Sequence, residues 1–394
     1  MNADERNTVG TRRWPKLTKS RKLVLLVVLI LLCGLIAAYW CCDPGKGLAD
    51  SATAIVLLED CDSDYQTPPF EDAVITFDSK GKPVPKVRDF NICETVGGCR
   101  SLSVASDGRF FVVCENVGQK LTAYGLKTGE RLWSLEGDGE FTSATMSQNG
   151  MIYALTSAGT IYGKDTLVID QQGRIAKQAT IGGFDLVVDT DRNALWLVGN
   201  KVTKCDLELK VLLEVNSIRW CAVSVDLNPD GSIWVAEREH PNVGGSTNRI
   251  FQVSATGQVL KSVGLPFSPS CLRVDRSDGS VWVTGGASQP SLVRRLLDSI
   301  EKRTGRLPIE KWGLEFLTRP RVWSRTHRYD QSGAFVCEIT QGGFSLAIDP
   351  ADGSLWIAAR DRVHHYSRQG TRLGQSDRLS SSQKYIAVIP QAPR

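Results

Sequence analysis

The chain has 394 residues, of which 42% are apolar and 23% charged, with a net charge of +4. That balance excludes a disordered or collagen-like chain and leaves length for one large domain or two ordinary ones.

Residues 1–22 are basic, with seven Lys and Arg against two acids. The next 18 residues, "LVLLVVLILLCGLIAAYW" (23–40), carry no charge, and a helix of that length spans a hydrocarbon core of about 30 Å. We read 23–40 as one transmembrane helix. Arg12, Arg13, Lys16, Lys19, Arg21 and Lys22 precede it, and Asp43 is the first charge after it. The positive-inside rule therefore puts the N-terminus in the cytoplasm and the remainder, after a linker at 41–52, in the periplasm or extracellular space. The chain is then a single-pass protein of the cell membrane. A cleaved signal peptide is the alternative, but its apolar core is ordinarily 7–15 residues, and Ala37, Ala38, Tyr39 and Trp40 make a poor cleavage site. Arg12 and Arg13 hint at a twin-arginine signal, against which Pro15 and Lys16 stand.

From residue 53 onward the pattern is β. The first loop, "DCDSDYQTPPFED", carries Asp60, Asp62, Asp64 and Glu71 at a spacing similar to that of a calcium loop. Calcium or another divalent cation is one expectation there, and a solvated acidic loop is the other. Tyr65 stands where the sharp-turn glycine belongs, and two prolines follow. No other cofactor is expected. Cys93 and Cys99 flank "CETVGGC", which can loop back on itself, so they are the expected disulfide in an oxidising compartment. Cys114, Cys205 and Cys337 read equally well as small buried residues.

A repeat then begins. "VDTDRNALWL" (188–197), "VDLNPDGSIWV" (225–235), "VDRSDGSVWV" (274–283) and "IDPADGSLWI" (348–357) are versions of one hairpin. Aligned on the turn residue, six copies fall at Gly108, Gly150, Asn193, Gly231, Gly279 and Gly353, separated by 42, 43, 38, 48 and 74 residues. Three positions after each comes an aromatic: Phe111, Tyr153, Trp196, Trp234, Trp282 and Trp356. Residues 221–263 display a full unit of four strands, "CAVSV", "SIWVA", "RIFQVS" and "VLKSV". Four antiparallel strands in a period of about 40–45 residues are the pattern of a β-propeller blade.

A ring of sheets left open would expose strand edges. "YIAVIPQ" (385–391) resembles another innermost strand with nothing after it, and "AIVLLED" (54–60), "AVITFDS" (73–79) and "KVRDFNI" (86–92) supply the missing three. The expected fold is all-β: a single propeller over 53–391, of seven four-stranded blades with six or eight as alternatives, closed by the C-terminal strand. The separation of 74 leaves a helical insert at about 287–318. In it Leu292, Val293, Leu296, Leu297 and Ile300 form one apolar face.

The second-to-third strand connections Glu59–Phe70, Glu237–Asn248 and the insert are long and should leave one face, where a protein partner or small ligand would bind. Glu237 and His240 are the catalytic candidates, as a general base beside a carboxylate; a lone loop histidine is more often simply solvated. His364 and His365 are neighbours on a strand and point to opposite faces, so they cannot share a metal. Residues 291–328 carry a net charge of +6, and residues 1–22 a net +5, leaving −7 for the rest. The insert could meet anionic lipid or an acidic partner, or simply pack its leucine face on the propeller. Nucleic acid is not an expected partner outside the cytoplasm.

At 225–260 and 348–373 the sequence resembles NHL-repeat propellers and the related gluconolactonase-like and streptogramin-lyase-like families, which share "VD-x-x-G-x-(aromatic)-VA" and "NRI". "AYGLKTGERLW" (123–133) resembles the quinoprotein-type docking motif, with Gly125 in place of its acidic residue. That resemblance implies that Trp133 packs over a neighbouring blade, while Trp196, Trp234, Trp282 and Trp356 fill the spaces between blades. The functions implied are a membrane-anchored, non-catalytic protein- or ligand-binding scaffold; a metal-dependent lactonase-like hydrolase or lyase; or a quinoprotein-like outer-membrane assembly scaffold.

Overall fold

Each repeat must reverse the chain within a few residues, and the turn demands a backbone that most side chains resist. The aligned turn residue has a left-handed φ in all six copies: Gly108 +64°, Gly150 +81°, Asn193 +49°, Gly231 +83°, Gly279 +71° and Gly353 +72°. Glycine adopts this region without a Cβ clash, and asparagine is the residue that replaces it most easily.

The computed structural model describes residues 55–60, 74–77, 99–115, 119–126, 130–157, 165–215, 221–239, 247–289, 321–359, 362–376 and 383–389. Segment 23–40, expected above to cross the membrane, the loop residues Asp62, Asp64 and Glu71, Cys93, His240 and residues 290–320 of the expected insert lie outside them. Among the described residues no helix is long and apolar enough to cross a membrane.

The described strands form antiparallel sheets. Six are four-stranded: blade 1 (99–136), blade 2 (140–179), blade 3 (185–215), blade 4 (222–264), blade 5 (268–339) and blade 6 (345–375). A further sheet joins the two ends of the domain. Gln383–Val388 pairs with Ile55–Asp60, from Ile55 opposite Val388 to Asp60 opposite Gln383, and Val74–Phe77 pairs on the far side of Ile55–Asp60. The expectation of seven four-stranded blades is therefore not matched. Six sheets have four strands and this one has three, because 86–92, the segment expected to be its fourth strand, lies outside the described residues.

The first strands of blades 1 to 6 touch one another in chain order, blade 6 touches Gln383–Val388, and that strand touches blade 1. The protein is a β-propeller whose ring is closed by its own chain ends. Blade 5 differs in length. Its second and third strands, Ser280–Gln289 and Arg321–Tyr329, pair out to Gln289 opposite Arg321, so residues 287–289, assigned above to the insert, continue the strand.

The aromatics three residues after each turn are buried, and Trp196, Trp234, Trp282, Trp356 and Phe111 are fully so. In four of the six blades the third-strand residue directly opposite covers the ring. Tyr124 stacks on Phe111 at 5.5 Å, Lys204 sits 5.1 Å over Trp196, Arg328 5.6 Å over Trp282, and His365 3.9 Å over Trp356. A flat or cationic group over an indole face is favoured by the ring's quadrupole.

Neighbouring blades are fastened by one recurring bond. In every blade from 2 to 6, the second residue of the third-to-fourth strand turn presents its carbonyl to a donor from the preceding blade. Gln171 O accepts from Trp133 Nε1 (2.9 Å), Leu207 O from Tyr153 Oη (3.4 Å) and Ala255 O from Lys204 Nζ (2.8 Å). Gln331 O accepts from Lys261 Nζ (2.7 Å) and Arg368 O from Arg328 Nη1 (2.7 Å). Trp133 also lies against the turn glycine Gly173. An indole, a phenol, two ammoniums and a guanidinium thus do the same work, because a turn carbonyl needs only a donor that reaches it.

Candidate functional site

Of the residues singled out above, Glu237 is the one the structure describes in detail. It ends the second strand of blade 4, is buried, and pairs through Oε2 with Arg249 Nε on the adjoining strand. The loop beyond is tied back by Asn248 Oδ1, which accepts from the Glu239 amide at 3.0 Å. Glu237 is therefore half of an ion pair at the mouth of its loop. Asp60 closes a strand opposite Gln383. Among the described residues no group of three or more His, Cys, Asp and Glu is arranged to hold a metal ion. His365 stacks on Trp356 while His364 turns toward Tyr366, on the other face of the strand. Burial pushes the His365 imidazole down to about 4, against the opposing charge of Asp352. Cys205, Cys221 and Cys271 are free and buried, Cys337 is free and half-buried, and Cys114 is buried.

The three long connections each join a second strand to a third, so the blade topology sends them all from one end of the ring. The cavity lies at the other end. A space of about 430 Å³ opens within the ring, walled by the C-terminal halves of five first strands and by Arg276, Ser277 and Pro350 of the first hairpin turns. That size falls within the roughly 300–1,000 Å³ of small-molecule sites.

Its walls are unlike. Blades 4 and 5 supply Asp226, Arg273 and Asp275, while blades 1 and 6 and the strand Gln383–Val388 supply Leu102, Leu346, Ile348, Ile386 and Val388. The carboxylates are already engaged. Asp226 accepts from the amides of Leu227 and Val274, both at 2.8 Å. Asp275 is paired with Arg368 at 2.8 Å and also takes the Ser277 hydroxyl at 2.6 Å. Arg273 is not engaged to the same degree. One of its five N–H donors goes to Leu272 O at 2.7 Å, and among the described residues no carboxylate stands at ion-pair distance, although Asp226 and Asp185 act on it through space.

Below the charged wall the ring is stitched from blade to blade. Asp185 accepts from Ser143 Oγ, Ser224 Oγ and the Val225 amide at 3.0, 3.2 and 3.1 Å, and Ser224 Oγ accepts in turn from the Leu272 amide at 3.2 Å. Burial pushes the Asp185 carboxyl above the usual carboxylate range, while Arg273 and these donors pull it back. These bonds hold Arg273's strand against blade 4, which fixes where its backbone stands.

The long-loop face drew the sequence reading away from this end. One signal was visible: "CLRVD" puts an arginine on a first strand where the matching position is Asp226 in blade 4, Val187 in blade 3 and Ala347 in blade 6.

No family model matches the sequence, and no curated protein matches it. Solved structures share the propeller fold. Hydrazine synthase from Kuenenia stuttgartiensis is 13% identical with a TM-score of 0.55, over 70% of this chain and 78% of that one. A functionally unknown protein from Desulfotomaculum acetoxidans DSM 771 is 13% identical with a TM-score of 0.58, over 87% of this chain and the whole of that one. At that identity the likeness is one of fold alone.

Proposed function

We propose that the chain is a membrane-anchored, extracytoplasmic propeller of seven NHL-like blades that works by binding, not by chemistry, and that the channel cavity is its ligand site. Residues 23–40 are the anchor and 86–92 complete the composite blade. The observation that carries the binding role is the cavity itself: a small-molecule-sized space with one charged wall, one apolar wall and a guanidinium that the fold leaves largely uncommitted. The long-loop face, at the opposite end, is left to a protein partner, with the basic insert as its contact to anionic lipid or an acidic surface.

The test is a thermal-shift screen of small polar fragments on the full-length protein in detergent, run beside Ala387→Leu, which pushes a larger side chain into the cavity from its apolar wall. Fragments that stabilise the wild type, leave Ala387→Leu unmoved and are recovered unchanged support the reading. Conversion of a bound fragment to product would replace the scaffold with an enzyme. Recovery of the protein in the soluble fraction after an alkaline membrane wash would remove the anchor.

A further inference from the structure

We infer that the channel cavity takes a small organic monocarboxylate, its carboxylate on the guanidinium of Arg273 and its apolar body against the wall of Leu102, Ile348 and Val388. This rests on the proposal that the cavity is a ligand site and adds the chemical class of the ligand.

The sign of the ligand follows from which groups are committed. A cation would have to be held by Asp226 or Asp275. Asp226 already receives two backbone amides, and Asp275 is neutralised by Arg368. Arg273 and Arg276 both line the cavity with donors to spare; Arg276 stands exposed on the hairpin turn, whereas Arg273 is half-buried on the first strand, and its planar fork of N–H groups matches a planar carboxylate in a bidentate arrangement.

The magnitude of the charge follows from the neighbours. Asp226, Asp275, Arg273 and Arg276 line the same space, two negative and two positive. A monoanion seated on Arg273 meets one favourable charge at contact, with two carboxylates near it. A phosphate dianion scales the attraction and the repulsion alike, so the Coulomb balance gives it no selective gain that its desolvation cost, which grows with the square of the charge, does not oppose.

The body follows from the other wall. Leu102, Ile348 and Val388 are aliphatic, keep some exposed surface, and come from strands that cannot draw aside without opening the ring. A chain of several methylenes covers such a wall, and each methylene removed from water contributes favourably. The Arg273 strand is held against blade 4 at the residues before and after the arginine, by Ser224 accepting from the Leu272 amide and Asp226 from the Val274 amide, so its backbone is positioned before the ligand arrives.

The experiment uses full-length protein in detergent with hexanoate as the probe, measured by equilibrium dialysis against empty micelles, and with hexanol and inorganic phosphate as the comparison ligands. Hexanoate should bind the wild type at least tenfold more tightly than either comparison ligand. Arg273→Gln should weaken hexanoate at least tenfold and leave hexanol unchanged, Arg273→Lys should weaken it less, and Ala387→Leu should weaken both. Ala387→Leu leaves Arg273 in place, so it tests occupancy of the cavity even if Arg273→Gln does not fold. Hexanoate binding that survives Arg273→Gln, or phosphate binding that exceeds hexanoate, overturns the inference. Hexanol binding without hexanoate binding keeps the cavity as a ligand site and overturns only the anion. Binding of none of the three overturns the inference and, with an empty fragment screen, the ligand-site reading as well.

Discussion

Blades 5 and 6 solve the same local problem with different side chains. In blade 5, Arg328 lies over Trp282 and continues past it, donating to Arg368 O of the next blade, to Asp278 Oδ2 at 2.7 Å and to Ser280 Oγ. In blade 6, His365 stacks on Trp356 at an interplanar angle of 12° and stops there, with neither ring nitrogen bonded among the described residues. Covering an indole needs only a flat or cationic group, whereas reaching the next blade needs length. Arg328 does both; His365 does one.

The largest effect should come from the ring both residues cover. Trp282→Ala and Trp356→Ala each empty a fully buried site and should cost about 3–5 kcal/mol, read as a lowered midpoint in denaturant. If either variant melts close to the wild type, the aromatic three residues after the turn is not the keystone of its blade.

The histidine makes blade 6 sensitive to acid in a way blade 5 is not. His365 is held neutral in the fold, down to about 4 from an ordinary 6.5. The unfolded chain takes up this proton below 6.5, and the folded chain takes it up only near 4. The stability the neutral ring contributes is thus complete above 6.5 and falls as pH drops toward 4, by about 3 kcal/mol across the window. His365→Phe keeps a flat ring on Trp356 and cannot titrate. The difference in stability between wild type and His365→Phe should shrink or grow by that amount between pH 7 and pH 4, in favour of the variant at low pH. His327 and the carboxylates titrate in both proteins and cancel in the difference; a pH-independent difference would mean that His365 is not held neutral.

Arg328→Met keeps a polarisable chain over Trp282 and removes the reach. It removes the Arg328 donors from Arg368 O and from Asp278 Oδ2, while Asp278 Oδ1 keeps the Ser280 amide, and because Asp278 is partly exposed the cost should be about 2 kcal/mol. A cost as large as that of Trp282→Ala would mean that the guanidinium, and not the indole, organises the interface.

The contrast between blades also marks what could be seen in the sequence. The hairpin turns were legible because a left-handed φ admits few residues, and Gly231 or Gly279 announces it without reference to anything else in the fold. The buried tryptophans were legible for the same reason, at a fixed offset from those turns. Trp133 was legible through a motif. The fastening bond was not: its donors are Trp, Tyr, Lys and Arg, drawn from second, third and fourth strands, and they coincide only once the ring is assembled. The cavity is a product of closure too. Arg273, Ile348 and Val388 stand far apart in the chain and line one cavity because Gln383–Val388 slots between blades 6 and 1.

The smallest effects should separate the two fourth-strand versions of the fastening bond. Trp133→Phe keeps an aromatic plate against Gly173 but loses the N–H to Gln171 O at a partly buried site, and should cost about 1 kcal/mol. Lys261→Met keeps the aliphatic stem and loses an ammonium bond to Gln331 O at an exposed site, where water replaces the donor. It should cost no more than about 0.5 kcal/mol, because a solvent-exposed hydrogen bond is exchanged and not abandoned. Denaturant midpoints of both variants, taken with an unchanged dependence of stability on denaturant concentration, decide the matter. Equal costs would show that the bond carries the interface whatever group donates it. The expected two-to-one ratio would show that packing and burial around the donor carry it instead.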